Sequence, residues 1–310
     1  MKEISISTGT YQKYNAGKNL QRRSLEETVR FLHSVGFRYL DVGLSDYKNR
    51  EDILWAEDWQ EQIANVAQLC RDLGMTCYQG HTPFFPKSML STFPSQQALE
   101  DYKEYFRRSL IAASMLGIRW MVVHPITCKE ENFEWQATLD ANHRFWDPLI
   151  EVAMDRNVGI AYENQLPYLD RNTNFRSFCH YEELIALIDS YNDPQRIGAC
   201  WDTGHANQSS LEQYRALKAV GSRLKVLHLN DNHYGTKDEH LLPWMGEVDW
   251  DRVIQALVEV DFPGTLNYEV GKVTTFASGK AQQELVRMSY NNALYFQNAY
   301  EQERIRQGKV

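Results

Sequence analysis

Short apolar runs recur along this chain, and each gives way to polar residues at its C-terminal end. They are ISIST (4–8), FRYLDVGL (37–44), MTCYQGH (75–81), IRWMVVHP (118–125), VGIAYEN (158–164), RIGACWDTGH (196–205), RLKVLHLND (223–231) and GTLNYEV (264–270). Several are nearly continuous in apolar residues, as expected of strands covered on both faces. Between them the apolar positions take helical spacing. SLEETVRFLHSVG (24–36) opens with a capping box, Ser24 and Glu27, and ends at Gly36. DWQEQIANVAQLCRDLG (58–74) places Ile63, Val66, Ala67 and Cys70 on one stripe and stops at Gly74; ALEDYKEYFRRSLIAASMLG (98–117) stops at Gly117. Further helices fit 136–156, 180–191, 209–220, 249–260 and 280–304.

Strand and helix alternate strictly, which implies a parallel sheet. Eight units spaced mostly about 25 to 45 residues apart predict an α/β fold closed into a (β/α)8 TIM barrel. One domain is expected over 1–310, with a C-terminal helix at about 280–304 whose apolar positions are Leu285, Met288, Leu294 and Phe296. A doubly wound open sheet is the alternative. No GxGxxG follows the first run and no Walker motif occurs, so nothing favours a nucleotide fold.

Composition narrows the function classes. The chain has 310 residues and is 43% hydrophobic, enough for a large core. Its net charge of −8 disfavours generic polyanion binding. The rim loops PFFPKSMLSTFPSQQ (83–97) and TCKEENFEWQ (127–136) hold no basic stripe, so no nucleic-acid partner is expected. The five cysteines show no zinc-type spacing and fit a reducing compartment. With no signal-peptide pattern and no membrane-length apolar window, a cytoplasmic protein is expected.

In a barrel, active sites lie at the C-terminal ends of the strands. There the third run offers His81, the fourth His124, and the fifth Glu163 and Asn164. The sixth offers Asp202 and His205, the seventh His228 with Asp238 and His240 in its loop, and the eighth Glu269. A carboxylate at the end of an apolar strand is partly buried, so it must pair, protonate or bind a cation. Asp202 has a plainer role available as a helix cap, but WDTGH places Gly204 where a turn can bring Asp202 and His205 to one site. Two Glu, one Asp and one His form a mixed O/N cage suited to one divalent metal, Mn²⁺ first, with Mg²⁺, Co²⁺ or Zn²⁺ as alternatives. Trp201, with Trp135 and Trp244, is a candidate wall for a sugar pocket, although ordinary packing explains a tryptophan equally well.

These residues sit in the motifs GHTPF (80–84), VVHP (122–125), YEN (162–164), WDTGHAN (201–207), LHLNDN (227–232), DEHLLPWMGEVDW (238–250) and NYEV (267–270). Together they resemble the xylose-isomerase-like TIM-barrel superfamily, the sugar isomerases and epimerases that also include endonuclease IV. The resemblance covers nearly the whole chain. It implies a metal held by Glu163, Asp202, His228 and Glu269, and an acid/base pair made of the same two glutamates. It also implies His205 on a substrate oxygen, with His81, His124, Asn164, Asp238, His240 and Trp201 as substrate or supporting residues. The implied function is isomerisation or epimerisation of a sugar, cyclitol or keto-sugar by proton abstraction next to a carbonyl. A homo-oligomer is expected, with a separate partner subunit possible under an eliminative reaction.

One departure stands out. Ketose 3-epimerases carry an arginine shortly after the seventh-strand histidine, and LNDNHYGTKDEH has none. That leaves lyase chemistry open, either keto-inositol dehydration or cleavage of a 3-keto-glycoside or C-glycoside. A second class is open too. The nine positions that hold three zinc ions in endonuclease IV have matching residue types here: His81, His124, Glu163, Asp202, His205, His228, Asp238, His240 and Glu269. That match implies a phosphoesterase as the alternative.

Overall fold

A computed structural model describes residues 1–16, 19–84, 95–126, 128–129, 134–166, 175–176, 178–210, 212–235 and 238–309. Most of the two rim loops read above for basic residues, 85–94 and 130–133, lies outside the described residues.

The eight predicted strands form. They are β1 (Ile4–Ser7), β2 (Tyr39–Gly43), β3 (Thr76–His81), β4 (Trp120–Val123), β5 (Gly159–Glu163), β6 (Ile197–Asp202), β7 (Leu224–His228) and β8 (Leu266–Tyr268). All are parallel, in the spatial order β7-β6-β5-β4-β3-β2-β1-β8. The remaining gap is bridged at Leu229: its N–H donates to Asn267 O at 2.8 Å, and its carbonyl accepts from Glu269 N at 3.1 Å. The sheet is a nearly closed (β/α)8 barrel in one domain.

The helices fall where the periodicity places them: α1 (Leu25–Val35), α2 (Trp59–Asp72), α3 (Gln96–Leu116), α4 (Trp135–Asp155), α5 (Tyr181–Ser190), α6 (Gln213–Val220), α7 (Trp250–Glu259) and α8 (Gly279–Arg306). Half of the predicted capping box forms at α1. Ser24 Oγ accepts from Glu27 N at 3.1 Å, while the Glu27 carboxylate turns to Arg23 at 3.3 Å. The C-terminal stop of α3 is Gly117 in the left-handed region, φ +74°, where a side chain would be strained.

Two apolar layers result. The larger lies between strands and helices; the smaller fills the barrel with Trp120, Val122, Ala161, Cys200 and Val226. The other half of the barrel interior is polar: Ser5, Asp41, Gln79 and Asn267 are all buried. Of the apolar positions expected on α8, only Phe296 is buried; Met288 and Leu294 are exposed. The buried stripe is instead Gln282, Val286, Ser289, Ala293, Phe296 and Tyr300, at i, i+3/i+4 spacing. Small residues in that stripe let the helix lie close to the barrel, so apolar content alone misjudged the face. Among the described residues no helix is long and apolar enough to cross a membrane.

Candidate metal centre

His81, Glu163, Asp202 and His228 are the last residues of β3, β5, β6 and β7, and His124 and Glu269 directly follow β4 and β8. One end of the barrel therefore gathers every strand-end group that the sequence singled out. Ligand atoms of Glu163, Asp202, His228 and Glu269 all lie within 4.8 Å of one another. His228 Nδ1 is 2.8 Å from Glu163 Oε1 and 3.4 Å from Glu269 Oε2. On the other side of Glu163, Oε2 lies 2.7 Å from His124 Nε2 and 3.5 Å from His81 Nε2. The 2.7 Å approach is not aligned as a hydrogen bond, and Oε2 has no partner. Phe84 packs over both imidazoles, with ring centroids at 4.7 and 5.0 Å.

Asp202 takes the plainer role weighed for it, and its carboxylate also lies within ligand spacing of Glu163, His228 and Glu269. It caps the short helix Thr203–Gln208, Oδ1 accepting from His205 N at 2.7 Å, while Oδ2 accepts from Asn230 Nδ2 at 2.8 Å. Asn164 clamps the Asp202 backbone: its Oδ1 accepts from Asp202 N at 2.7 Å and its Nδ2 donates to Asp202 O at 2.9 Å. The turn expected at Gly204 is the start of that short helix, and it brings His205 Nδ1 to 3.9 Å from Asp202 Oδ1. Gly204 lies inside the short helix, where a Cβ would sit 1.9 Å from Asn230 Oδ1, so glycine admits the Asn230 side chain that steadies Asp202.

A second group adjoins the first. His240 Nδ1 is 2.7 Å from the Glu269 carbonyl, so it donates; His240 Nε2 is 2.8 Å from Asp238 Oδ2. With both nitrogens donating, the ring is an imidazolium. Its pKa is about 9, because Asp238 and Glu269 overcome the burial that would lower it. Lys272 Nζ also donates to Asp238 Oδ2, at 2.6 Å. Burial pushes the Asp238 carboxyl up, but His240, His205 and Lys272 hold it far below the usual range. His205 stands between the groups. Its Nδ1 donates to Asn164 O at 2.8 Å, leaving Nε2 facing Asp238 at 4.0 Å.

The loop that carries Asp238 and His240 is fixed by Asp231, whose carboxylate accepts from Asn232 N, Val248 N and Trp250 Nε1. A backbone bridge from Asp231 to Leu241 sets its register.

The electrostatics are those of crowded, buried charge. Burial pushes Glu163 up, but His228 and His124 outweigh it and hold the carboxyl well below its usual range. Burial raises Glu269 despite His228 and His240. His124 is lowered, chiefly by burial. Glu163 Oε2, His228 Nε2, Asp238 Oδ1, Asn230 Oδ1 and Asp41 Oδ1 are buried without hydrogen-bond partners. Such groups are rare in folded proteins, and Glu163 Oε2 among them lies beside the cage, where an ion would satisfy it. The donor set Glu, Asp, His, Glu fits a hard or borderline divalent cation.

Some residues lie elsewhere. Trp201 is fully buried away from the cage, its Nε1 donating to Gln213 Oε1 at 3.1 Å. Asp202 points into the site, so its strand neighbour points out of it. Trp135 packs on Phe178, and Trp244 on Trp250, Tyr295 and Phe296. Sequence reading gave no role to Asp41, Asn230 or Lys272; Asp41 left a trace as a lone carboxylate within the apolar run FRYLDVGL, and Asn230 as a member of the motif LHLNDN.

Comparison with known proteins agrees with this fold. The chain is 27% identical over 173 residues to the uncharacterised protein y4fM of Sinorhizobium fredii, covering 54% of this chain and 51% of that one. It is 26% identical over 175 residues to a probable endonuclease 4 of Acholeplasma laidlawii, covering 51% and 56%. The chain thus spans about half the length of these curated relatives. Among solved structures it resembles a D-psicose 3-epimerase studied with D-fructose (TM-score 0.70, 14% identity, 96% and 99% covered). It also resembles an IOLI protein with a bound zinc atom (0.70, 15%, 98% and 99%) and the 3-keto-D-glucoside 4-epimerase YcjR of E. coli (0.65, 15%, 95% and 100%). At these identities the likeness is one of fold. A family model matches residues 29–291, and the chain belongs to the xylose isomerase-like TIM-barrel family.

Proposed function

We propose that this chain is a divalent-metal-dependent isomerase or epimerase that abstracts a proton next to a carbonyl of a sugar, cyclitol or keto-sugar. The observation that carries the reading is the cage: four donor residues from four strand ends, with ligand atoms within 4.8 Å. A divalent cation held by Glu163, Asp202, His228 and Glu269, Mn²⁺ first among the candidates, would supply Lewis acidity and make a C–H beside a carbonyl acidic enough for a carboxylate.

The chain's own groups divide the remaining work. Glu163 and Glu269 come from strands three steps apart around the barrel. One removes the proton from carbon and the other returns it to the opposite face. His205, fixed by Asn164, offers Nε2 to a substrate oxygen. His81 and His124 flank Glu163, and Phe84 provides an apolar wall beside them. Expulsion of a leaving group after the same first step would make the enzyme a lyase, and product analysis separates the two.

The phosphoesterase reading keeps its own support: His81, His124 and Glu163 form one further group with metal-ligand spacing, and His205, Asp238 and His240 form another. Lys272 weighs against it by neutralising Asp238.

The test is solvent exchange. Protein with Mn²⁺ is incubated in D₂O with ketoses, keto-inositols and 3-keto-glycosides. Deuterium entering the carbon beside the carbonyl of one class, lost on chelation, is the expected result. No exchange across the panel, with incision of an abasic oligonucleotide, would replace the proposal with the phosphoesterase.

A further inference from the structure

His228 presents its two ring nitrogens to different surroundings. Nδ1 faces the cage and is hydrogen-bonded to Glu163 Oε1 at 2.8 Å, a contact that an ion held by both residues would replace. Nε2 faces the barrel interior, 3.4 Å from Oδ2 of Asp41 on β2. The ring is 0% exposed and Asp41 1%, so bulk solvent reaches neither. His228 Nε2 has no hydrogen-bond partner, and Asp41 Oδ1 has none either. Asp41 is held from below: Asn267 Nδ2 donates to its Oδ2 at 3.0 Å, and Asn267 Oδ1 accepts from the Ser5 hydroxyl at 2.9 Å. Ser5 Oγ is in turn 2.6 Å from Thr265 Oγ1. These contacts fix the carboxylate beside the ring edge that points away from the cage.

An imidazole binds a cation only through a nitrogen that carries no proton. Which nitrogen that is depends on what the other one can donate to. A buried carboxylate accepts and does not donate, so it favours the proton on the nitrogen facing it. Glu163 draws one to Nδ1 in the metal-free site. Once an ion takes that place, Asp41 faces the ring nitrogen that can keep its proton. We propose that Asp41 is a positioning residue that keeps the His228 proton on Nε2 and so presents Nδ1 to the ion; this rests on the one-ion cage above. A plain structural role would differ. Asn267 needs only an acceptor from residue 41, and an asparagine there supplies one. An asparagine can also turn its amide N–H toward Nε2, which would drive the His228 proton onto Nδ1.

Asp41→Asn therefore separates the two roles. The metal-free variant is expected to melt close to wild type and to bind Mn²⁺ about 10–100-fold more weakly in a calorimetric titration. In ¹⁵N-histidine-labelled wild type loaded with Zn²⁺, long-range ¹H–¹⁵N correlations are expected to show His228 protonated at Nε2, with its signals assigned by their loss in His228→Gln. Equal Mn²⁺ affinity in the variant, or a wild-type His228 protonated at Nδ1, would overturn the inference. The wild-type spectrum can overturn the inference even if the variant does not fold, and an Asp41→Ala variant then supplies the affinity comparison. Wild-type protein that takes up no divalent ion would instead overturn the cage.

Discussion

Two polar clusters share one end of this barrel, and they meet their charge in opposite ways. Around Asp238, one carboxylate faces the His240 imidazolium and the Lys272 ammonium at 2.8 and 2.6 Å. Around Glu163, three carboxylates share His228, with His124 and His81 at 2.7 and 3.5 Å from Glu163, and Glu163 Oε2 and His228 Nε2 are left without hydrogen-bond partners. In the first cluster the protein's own cations both sit on Asp238 Oδ2, while Oδ1 is left without a hydrogen-bond partner. The second is short of positive charge, in a setting where an unpaired buried carboxylate is costly. Residue types with ligand spacing are present in both; only the balance of charge separates an ion site from an ion pair.

Breaking the deficient cluster should have the largest effect. Glu163→Gln and Glu269→Gln are each expected to lower turnover of a verified substrate by about 10²–10⁴-fold, the usual range for a lost acid/base group. If both leave turnover intact, the assignment fails. Asp202→Ala is expected to weaken Mn²⁺ binding more than the roughly 10–100-fold typical of a supporting group, since it removes a ligand. Full occupancy at limiting metal would show the cage misread. Gly204→Ala forces Asn230 off Asp202 and should destabilise the fold by about 1–3 kcal/mol, as overpacking does, with weaker metal binding alongside. Thermal melts with and without Mn²⁺ read both effects. The smallest change is expected at the Asp238 cluster. Lys272→Met should leave affinity at the cage unchanged and admit a second ion only at high metal concentration. A drop in cage affinity would mean that the two clusters are not separate.

How much of this was legible beforehand depended on which physical signal carried it. The eight strands and their polar ends followed from period and alternation, because a parallel barrel buries its strands on both faces and exposes their C-terminal ends. Six strand-end residues therefore reached their places by counting alone. Trp201 did not: it neighbours Asp202, and strand alternation turns one inward when the other points out. Asp41 was passed over because it lies inside β2, two residues before its end, where nothing in the sequence reports a facing imidazole. Lys272 belongs to the short helix after β8, and its approach to Asp238 joins residues 34 apart. The buried face of α8 misled for a related reason. Ser289 and Ala293 are buried by close approach to the barrel rather than by hydrophobicity.

The central claim is that one cluster needs a cation and the other already has its own. Metal content per chain, by elemental analysis of protein purified without chelators, tests it most directly. About one divalent ion per chain, lost in Asp202→Ala and retained in Lys272→Met, is the predicted result. Close to three zinc ions per chain would contradict it, making His81, His124, Asp238 and His240 ligands and moving the phosphoesterase reading to the front.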